Sequence, residues 1–317
     1  IVIGEGEPVW PQLIRDLRRG RLEPVYDARE TPFDLADSPM PRYELLEPER
    51  YNRLTVQTQR GCPFDCEFCA SSIRLSPVFR TKSVSRVIEE IRHIKTIWPK
   101  AFIEFADDNT FVNKKHSKAL LKAVARENIR WFTETDISIA ANEELLQLMH
   151  DSGCAQVLVG LESPSPAGLR GIELKSDWKV KQQDAYLEAV RRIQSHGISV
   201  NGCFVLGLDG TGPESFQSVV DFVRESGLHE VQVTVMTPFP GTPLYDRLEK
   251  ADRLLHKDDW ELCTLFDVNF RPDGMTVEAL ERDFRVLVSE LYSESETARR
   301  RKAFERQLRQ SRKRETA

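Results

Sequence analysis

Three cysteines fall within one window of eight residues, Cys62-Pro-Phe-Asp-Cys66-Glu-Phe-Cys69. Thiolates are the ligands that iron–sulfur clusters require, and this close spacing lets one loop reach three corners of one cluster. A structural cluster or a zinc site usually has four protein ligands, yet the next cysteine is Cys154 and the nearest histidine is His93. The missing ligand predicts an open iron that binds a small molecule. A zinc knuckle lacking one ligand and a chance group of buried cysteines are the alternatives.

This C-x3-C-x2-C spacing resembles that of the radical S-adenosylmethionine (radical SAM) superfamily, and the resemblance runs from about residue 54 to residue 248. It implies that Cys62, Cys66 and Cys69 hold a [4Fe–4S] cluster whose open iron chelates the amino and carboxylate groups of S-adenosylmethionine. Electron transfer then gives a 5′-deoxyadenosyl radical. In such proteins the aromatic residue before the last cysteine, here Phe68, typically lies beside the adenine.

Five charged residues resemble further cofactor-binding positions of the superfamily. Asp107 and Asp108 stand where the wider family often has Gly-Gly-Glu, and at least one of them is expected to meet the cofactor's ammonium group. Glu134 and Glu162 match acidic positions that bind the amino group or the ribose hydroxyls. Lys175 resembles the cation that meets the methionine carboxylate. The alternatives are a helix N-cap for either aspartate, rim salt bridges for the glutamates, and a solvated lysine.

Two segments resemble the cobalamin-associated branch of the superfamily. Residues 238–245, Pro-Phe-Pro-Gly-Thr-Pro-Leu-Tyr, are similar to the Pro-x-Pro-Gly-Thr-Pro-Leu segment of cobalamin-associated and methylthiotransferase-like enzymes. Its prolines would stiffen the backbone that closes the cofactor pocket, or form a rigid turn without direct contact. The opening Val-Ile-Gly-Glu-Gly-Glu resembles the end of a cobalamin-binding domain. The histidine motif that would ligate cobalt is not in this chain, so we expect cobalamin only in a longer protein.

These residues follow short apolar runs that alternate with helical-period segments, a pattern typical of parallel strands with crossover helices. Six strands are predicted, at residues 54–59, 102–106, 131–135, 156–161, 200–206 and 231–236. Six units are two short of an eightfold barrel, so the expected fold is α/β, an open partial (β/α)6 barrel. Right-handed crossovers place every strand's carboxyl end on one rim, where the predicted site residues should meet.

The chain is expected to have four parts. Residues 1–22 are predicted to be the remnant of a cobalamin-binding-like α/β domain, and residues 23–50 a linker, because they hold five prolines. Residues 51–250 form the expected barrel, and residues 251–317 a C-terminal helical segment with a basic tail. Nine Lys or Arg and one Glu lie between residues 299 and 314, which favours a solvated helix or a disordered tail over contact with RNA or anionic lipid.

The composition argues against several classes of protein. The 317 residues carry a net charge of −5, which disfavours broad nucleic-acid affinity. The mean hydropathy is −0.43 and no long apolar run occurs, which disfavours a membrane span. No signal-peptide pattern opens the chain. Six cysteines, three of them clustered, do not resemble a secreted disulfide framework, so a reducing cytoplasmic location is predicted. Cys154, Cys203 and Cys263 are expected to be isolated thiols.

The resemblance implies an enzyme that cleaves S-adenosylmethionine reductively and, with cobalamin, methylates a carbon of a small-molecule substrate. It also implies an electron donor such as flavodoxin or ferredoxin. Radical oxidation, ring formation or methylthiolation without cobalamin methyl transfer is the alternative among enzymes. An iron–sulfur electron carrier and an RNA-binding protein that uses the basic tail are the alternatives from other classes. The sequence identifies neither the substrate nor catalytic residues.

Overall fold

The computed structural model describes residues 1–31, 33–71 and 78–315, with side chains as far as residue 310. Its strands are β1 (Val2–Ile3), β2 (Tyr26–Asp27), β3 (Leu54–Val56), β4 (Gln59–Arg60), β5 (Arg80–Thr81), β6 (Phe102–Phe105), β7 (Arg130–Thr135), β8 (Cys154–Glu162), β9 (Ser199–Leu206) and β10 (Glu230–Val235). Six of them form a parallel sheet in the order β10-β9-β8-β7-β6-β3. In the described ranges β3 and β10 do not pair with each other, so the barrel is open. The predicted α/β class and the partial six-stranded barrel are confirmed.

Helices connect the strands and cover the sheet. They are α1 (Trp10–Arg18), α2 (Val84–Ile97), α3 (Lys114–Val124), α4 (Glu143–Asp151), α5 (Pro166–Leu169), α6 (Trp178–Gln182), α7 (Tyr186–Ser195), α8 (Glu214–Ser226), α9 (Pro243–Lys250), α10 (Val277–Leu291) and α11 (Glu294–Glu315). The three- and four-residue spacing of apolar residues in α2 buries Val87, Ile91 and Ile94 completely against the sheet. Among the helices described, none has both the length and the apolar composition that crossing a bilayer requires.

The first barrel strand is shorter than the sequence predicts. The predicted strand at residues 54–59 is interrupted: β3 ends at Val56, and Gln59 begins β4, which pairs antiparallel with β5. The cause is the buried carboxylate of Asp107, which accepts hydrogen bonds from the backbone N–H groups of Thr58 (2.7 Å) and Gln59 (3.0 Å). The chain therefore leaves the sheet just before residues 61–69, here named the cysteine loop.

The N-terminal residues form a small unit in which β1 and β2 pair in parallel and α1 connects them. β2 lies in the segment predicted to be a linker. The Gly-Glu-Gly-Glu turn of this unit contacts the barrel, because Arg60 meets the carboxylates of Glu5 (3.1 Å) and Glu7 (2.6 Å). The acidic turn is therefore joined to the residue that precedes the cysteine loop. The division of the chain into four parts stays a prediction.

The basic tail is helical, and its first half packs against the barrel. Arg300 is 1% exposed and donates a hydrogen bond to the carbonyl of Leu291 (2.6 Å). The rings of Phe304 and His229 lie 4.7 Å apart, centre to centre, and the side-chain amide of Gln307 donates to the carbonyl of Arg191 (2.8 Å). A helix is one of the two forms expected for this tail, but several of its side chains are engaged with the protein and are not solvated.

Candidate functional site

A cavity of about 220 Å³ opens where the barrel strands end. The three cysteines of the cysteine loop line it, together with Phe68, Asp108, Glu134 and Glu162. The sequence therefore predicts seven of the residues that surround one space, while Asp107 and Lys175 lie outside it. A larger groove of about 960 Å³ lies between α7, α8 and α11, and its wall contains none of the predicted site residues.

Backbone hydrogen bonds hold the cysteine loop against residues 172–174. The N–H of Glu67 donates to the carbonyl of Ile172 (2.8 Å), and the N–H of Leu174 donates to the carbonyl of Asp65 (3.2 Å). Cys66 consequently faces Glu173 in an antiparallel bridge. The N–H of Cys69 donates to the carbonyl of Cys66 (3.0 Å), which closes a turn between these two cysteines. The loop is thus shaped by backbone contacts while its thiols line the cavity.

Burial favours the neutral thiol form of two of these cysteines when no metal is bound. It raises the pKa of Cys62 to about 11 and that of Cys66 to about 12. A metal must therefore displace these protons, as it does wherever thiolates become ligands. In the described part of the chain no three His, Cys, Asp or Glu side chains are grouped to hold a single metal ion. Three thiols on one loop facing one cavity fit a cluster bound at three corners.

Asp107 and Asp108 have different surroundings. Asp107 is buried, and besides the two backbone amides before the cysteine loop it binds the hydroxyl of Thr110 (2.9 Å). Burial raises the pKa of Asp107 to about 6, although its hydrogen bonds act in the opposite direction. Asp108 lines the cavity and accepts hydrogen bonds from the N–H of Gly61 (2.8 Å) and the hydroxyl of Ser71. The carboxylate available to a ligand is that of Asp108, whereas Asp107 shapes the backbone.

Glu162 and Lys179 form an ion pair in the cavity wall, with 2.8 Å between Oε1 and Nζ. Glu162 has a φ of +59°, an unusual value for a residue other than glycine, next to a register shift between β8 and β9. Nζ of Lys179 also donates to the carbonyl of Gly160 (3.0 Å). Burial alone would lower the pKa of Lys179, but the Glu162 carboxylate more than offsets this and raises it. Lys179 is therefore a buried cation.

Lys175, the cation that the sequence analysis expects at the site, lies outside the cavity, whereas Lys179 lines it. The side chain of Lys175 is 85% exposed and pairs with Asp65 (3.3 Å) outside the cavity. Lys179 lies four residues later, at the second position of α6, where the helix turns its side chain towards Glu162. The sequence offers both lysines within five residues, and the structure distinguishes them because Lys175 precedes α6 whereas Lys179 lies within it. The role predicted for Lys175 stays a prediction, and Lys179 is the lysine that the cavity wall contains.

Glu134 lies at the end of β7 and is solvent-accessible within the concave barrel mouth. The protein atoms around the Glu134 carboxylate exclude part of its water and so raise its pKa. The carboxylates of Glu104 and Asp108 raise this pKa further by charge repulsion. A cationic ligand placed here would favour the ionised form of Glu134 and relieve the repulsion between these acidic groups.

Aromatic and thiol side chains that the sequence analysis did not assign to the site also line the cavity. The ring of Phe64 stacks on that of Trp178, with centres 5.6 Å apart and planes 22° apart. Phe68, which the sequence analysis did assign to the site, is partly buried and packs against the core. Cys203, predicted to be an isolated thiol, lines the cavity from β9, and burial raises its pKa. Side chains alternate between the two faces of a strand, and this alternation along β9 could have identified Cys203 as a residue that faces the cavity.

The proline-rich segment at residues 238–245 supports the cysteine loop from outside the cavity. Thr242 caps α9, and its hydroxyl donates to the carbonyl of Phe239 (2.7 Å). The N–H of Leu244 donates to the carbonyl of Glu67 (3.1 Å). None of the described residues that line the cavity belongs to this segment. Its turn contacts the cysteine loop instead.

Comparison with known families gives two matches. Residues 56–223, more than half of the chain, match a family described as the Radical SAM superfamily. Residues 242–317 match a family described as a domain of unknown function (DUF4070). The first match contains every cysteine and acidic residue of the cavity, and the second begins at the residue that caps α9.

Curated relatives and a solved structure resemble most of the chain. Bacteriochlorophyllide d C-12(1)-methyltransferase of Chlorobaculum tepidum is 29% identical over 306 residues, 95% of this chain and 66% of that protein. Hopanoid C-2 methylase of Rhodopseudomonas palustris is 30% identical over 256 residues, 79% of this chain and 48% of that protein. The cobalamin-dependent S-adenosylmethionine radical enzyme OxsB, solved with aqua-cobalamin bound, shares the fold with a TM-score of 0.68 at 15% identity, over 91% of this chain and 50% of that one. The chain spans about half to two thirds of the length of these proteins.

Proposed function

Because the chain belongs to the radical SAM superfamily, we propose that it carries the S-adenosylmethionine-cleaving site of a cobalamin-dependent carbon methyltransferase. The shared cavity is the observation that carries this proposal: Cys62, Cys66 and Cys69 line the same space as Asp108 and Glu162. Thiols for a cluster and carboxylates for a cationic ligand are the two kinds of group that binding S-adenosylmethionine beside a cluster requires.

In this proposal the three cysteines bind a [4Fe–4S] cluster at three of its corners. When bound, the cluster supplies the electron that cleaves S-adenosylmethionine to methionine and a 5′-deoxyadenosyl radical. The chain's own part is to exchange thiol protons for iron, to hold the cysteine loop in shape, and to shield the cavity from water. An electron donor such as flavodoxin or ferredoxin, in a reducing cytoplasm, would complete the system.

The remaining cavity residues would orient S-adenosylmethionine. The carboxylates of Asp108 and Glu134 would accept hydrogen bonds from its ammonium group or ribose hydroxyls, and Lys179 would face the methionine carboxylate. The ion pair with Glu162 keeps Lys179 protonated for this role. The ring of Phe68 would pack beside the adenine, with the Phe64–Trp178 stack extending the aromatic wall.

The methyl-transfer part of the proposal is supported by the names of the relatives. A bacteriochlorophyllide methyltransferase and a hopanoid methylase both add methyl groups, and the solved structure that shares the fold contains cobalamin. Their two substrates differ in chemistry, so we propose the reaction and not the substrate. Cobalamin binding is proposed for the whole protein, with residues 1–22 as the end of the domain that would hold it.

The test is anaerobic reconstitution of the full-length protein with iron and sulfide. We expect about four iron atoms per chain, a magnetic resonance signal of the reduced cluster that changes when S-adenosylmethionine is added, and 5′-deoxyadenosine after reduction. Methyl-deuterated S-adenosylmethionine should label cobalamin and then the product. An unchanged signal would instead indicate an electron carrier, and zinc or a cluster sealed by a fourth side chain would overturn the proposal. 5′-Deoxyadenosine without label in the product would indicate radical oxidation or ring formation.

A further inference from the structure

Helix α9 belongs to the segment that matches only a domain of unknown function, and it contacts the cysteine loop directly. The guanidinium of Arg247 forms two hydrogen bonds with the carboxylate of Glu67, Nε to Oε2 at 3.0 Å and the other nitrogen to Oε1 at 2.6 Å. Glu67 stands between Cys66 and Phe68 in the sequence and is 7% exposed. A residue of the segment that matches the domain of unknown function therefore binds the loop between two of its cysteines.

The contact is part of a longer chain of charges. Asp209, which follows β9, accepts hydrogen bonds from Arg247 and from Arg253 (2.6 Å). Arg253 in turn donates to the carbonyl of Arg271 (2.7 Å). The network thus links the cysteine loop, the rim of the barrel and the residues after α9, and each carboxylate in it is matched by a guanidinium.

Backbone and apolar contacts fix α9 in the same place. The N–H of Leu244, in the first turn of α9, donates to the carbonyl of Glu67 (3.1 Å). Leu244 and Leu248 are completely buried on the inner face of the helix. Glu67 is therefore held through both its carbonyl and its carboxylate by one helix, whose position is set by packing.

We propose that α9 is a clamp for the cysteine loop and that Arg247 is a positioning residue for the cluster ligands. Apart from the hydrogen bond between the N–H of Gly61 and Asp108 at its start, the loop's backbone is anchored on its other side by the bridge to residues 172–174. Releasing the Glu67 carboxylate therefore loosens the side of the loop that faces α9. Residues that hold metal ligands in place contribute to metal affinity, as the ligands themselves do. This gives the segment of unknown function a role in the radical SAM site. The cluster part of the inference rests on the proposed function, whereas the clamp itself does not.

The clamp is tested in the cluster-free chain by amide hydrogen exchange of Arg247→Gln. We expect amides of residues 61–71 to exchange about fivefold to tenfold faster, because a bidentate, partly exposed charged contact to the loop is lost. Arg224→Gln is the matched control. Arg224 is also 41% exposed and also binds two carboxylates, Glu290 (2.8 Å) and Glu296 (2.9 Å), but these lie in α10 and α11. The Arg224→Gln variant should leave the amide exchange of residues 61–71 unchanged.

A second variant separates the clamp from a general loss of folding. Arg247→Lys keeps the charge but cannot form the two-pronged contact, so its exchange should lie between those of the native chain and Arg247→Gln. Amides of β8 should exchange alike in all variants. Equal exchange of residues 61–71 in Arg247→Gln and Arg224→Gln, or acceleration spread over the whole barrel, overturns the clamp.

The reconstituted protein provides the second readout. Iron should pass to a chelator about tenfold faster from Arg247→Gln than from the native protein or Arg224→Gln. Glu67→Gln should have a similar effect, and the double variant with Arg247→Gln should be no worse than either single one, because both remove the same interaction. Faster amide exchange of residues 61–71 without faster iron transfer to the chelator would refute the positioning role and leave the clamp intact. If the native protein bound no iron at all, the proposed function alone would be refuted.

Discussion

Nζ of Lys179 lies 2.8 Å from Oε1 of Glu162 in the wall of the cavity that the three cysteines share. Both side chains are 10% exposed, and Glu162 has a left-handed backbone conformation that costs about 1–2 kcal/mol outside glycine. Such strain persists only where the surroundings over-determine it, and it concentrates at binding sites. The ion pair holds the Glu162 side chain in place, so strain and pairing together fix one carboxylate and one cation in the cavity.

Replacing Lys179 with methionine is expected to affect both stability and binding. The Glu162 carboxylate would be left buried without its partner, so the free energy of unfolding should fall by about 3–5 kcal/mol. Binding of S-adenosylmethionine should weaken at least about tenfold through the lost contact with a charged group. Urea unfolding of the cluster-free chain and equilibrium dialysis of the reconstituted protein measure the two effects.

Two further variants isolate the binding role of Lys179. Lys175→Met removes a charge that is 85% exposed and should change neither quantity. The double variant Lys179→Met with Glu162→Met leaves no unpaired charge and should recover most of the stability without recovering the affinity. Loss of affinity in Lys175→Met would support the role predicted for Lys175 and contradict the role proposed for Lys179.

Gly160→Ala should displace the Glu162 carboxylate while the fold is kept. A Cβ at position 160 would lie 2.5 Å from Oε1 of Glu162, the end of a flexible side chain that can move. Affinity for S-adenosylmethionine should therefore fall about tenfold or more. The unfolding midpoint should also fall, though by no more than in Lys179→Met, because the displaced oxygen is the one that pairs with Lys179. Gly6→Ala is the control, since a Cβ there meets no atom within 4 Å. Equal affinities of the two variants would show that the carboxylate position does not matter.

Cys66→Ala and Cys203→Ala distinguish a cluster ligand from a neighbouring thiol. Both side chains line the cavity, and burial raises the pKa of both. After anaerobic reconstitution we expect less than about one iron per chain in Cys66→Ala and about four in Cys203→Ala. Iron and acid-labile sulfide analyses provide the counts. A similar loss in both variants would mean that Cys203 seals the cluster as a fourth ligand, leaving no iron open to S-adenosylmethionine.

The sequence predicts the barrel and the cysteine loop well because both depend on local patterns. Runs rich in apolar and β-branched residues place all six strands, since such residues are enriched in buried parallel strands. The spacing of Cys62, Cys66 and Cys69 places three thiols on one loop without any knowledge of the fold. The break after Val56 is not predicted, because it depends on Asp107, which is distant in the sequence.

The details of the site depend on orientation and on distant contacts, which local patterns do not encode. Asp107 and Asp108 are adjacent and alike, and only the path of the backbone after β6 turns one into the cavity. Lys175 precedes α6 and lies outside the cavity, whereas Lys179 lies within this helix and lines the cavity. The contact between Glu67 and Arg247 joins residues 180 positions apart, so a single sequence offers no signal for it.

Asp107 should give the stability of the chain a specific pH dependence. Burial raises its pKa to about 6 in the folded state, compared with about 3.9 in an unfolded chain. Between about pH 4 and pH 6 the folded chain therefore retains a proton that the unfolded chain has lost. The free energy of unfolding should consequently fall as the pH rises through this window, by about 2–3 kcal/mol from this group, and level off above it.

Asp107→Asn removes the titrating carboxyl group but keeps an oxygen that can accept hydrogen bonds from the N–H groups of Thr58 and Gln59. Urea unfolding of the cluster-free chain, repeated between about pH 4 and pH 7, measures the effect. The free energy of unfolding should decline with rising pH in the native chain, and this decline should be about 2–3 kcal/mol smaller in Asp107→Asn. Asp108→Asn leaves Asp107 in place and should keep the native slope. The same slope in Asp107→Asn would assign the pH dependence to other groups and would mean that the Asp107 carboxyl is already ionised throughout this range, held so by the amides and hydroxyls that surround it.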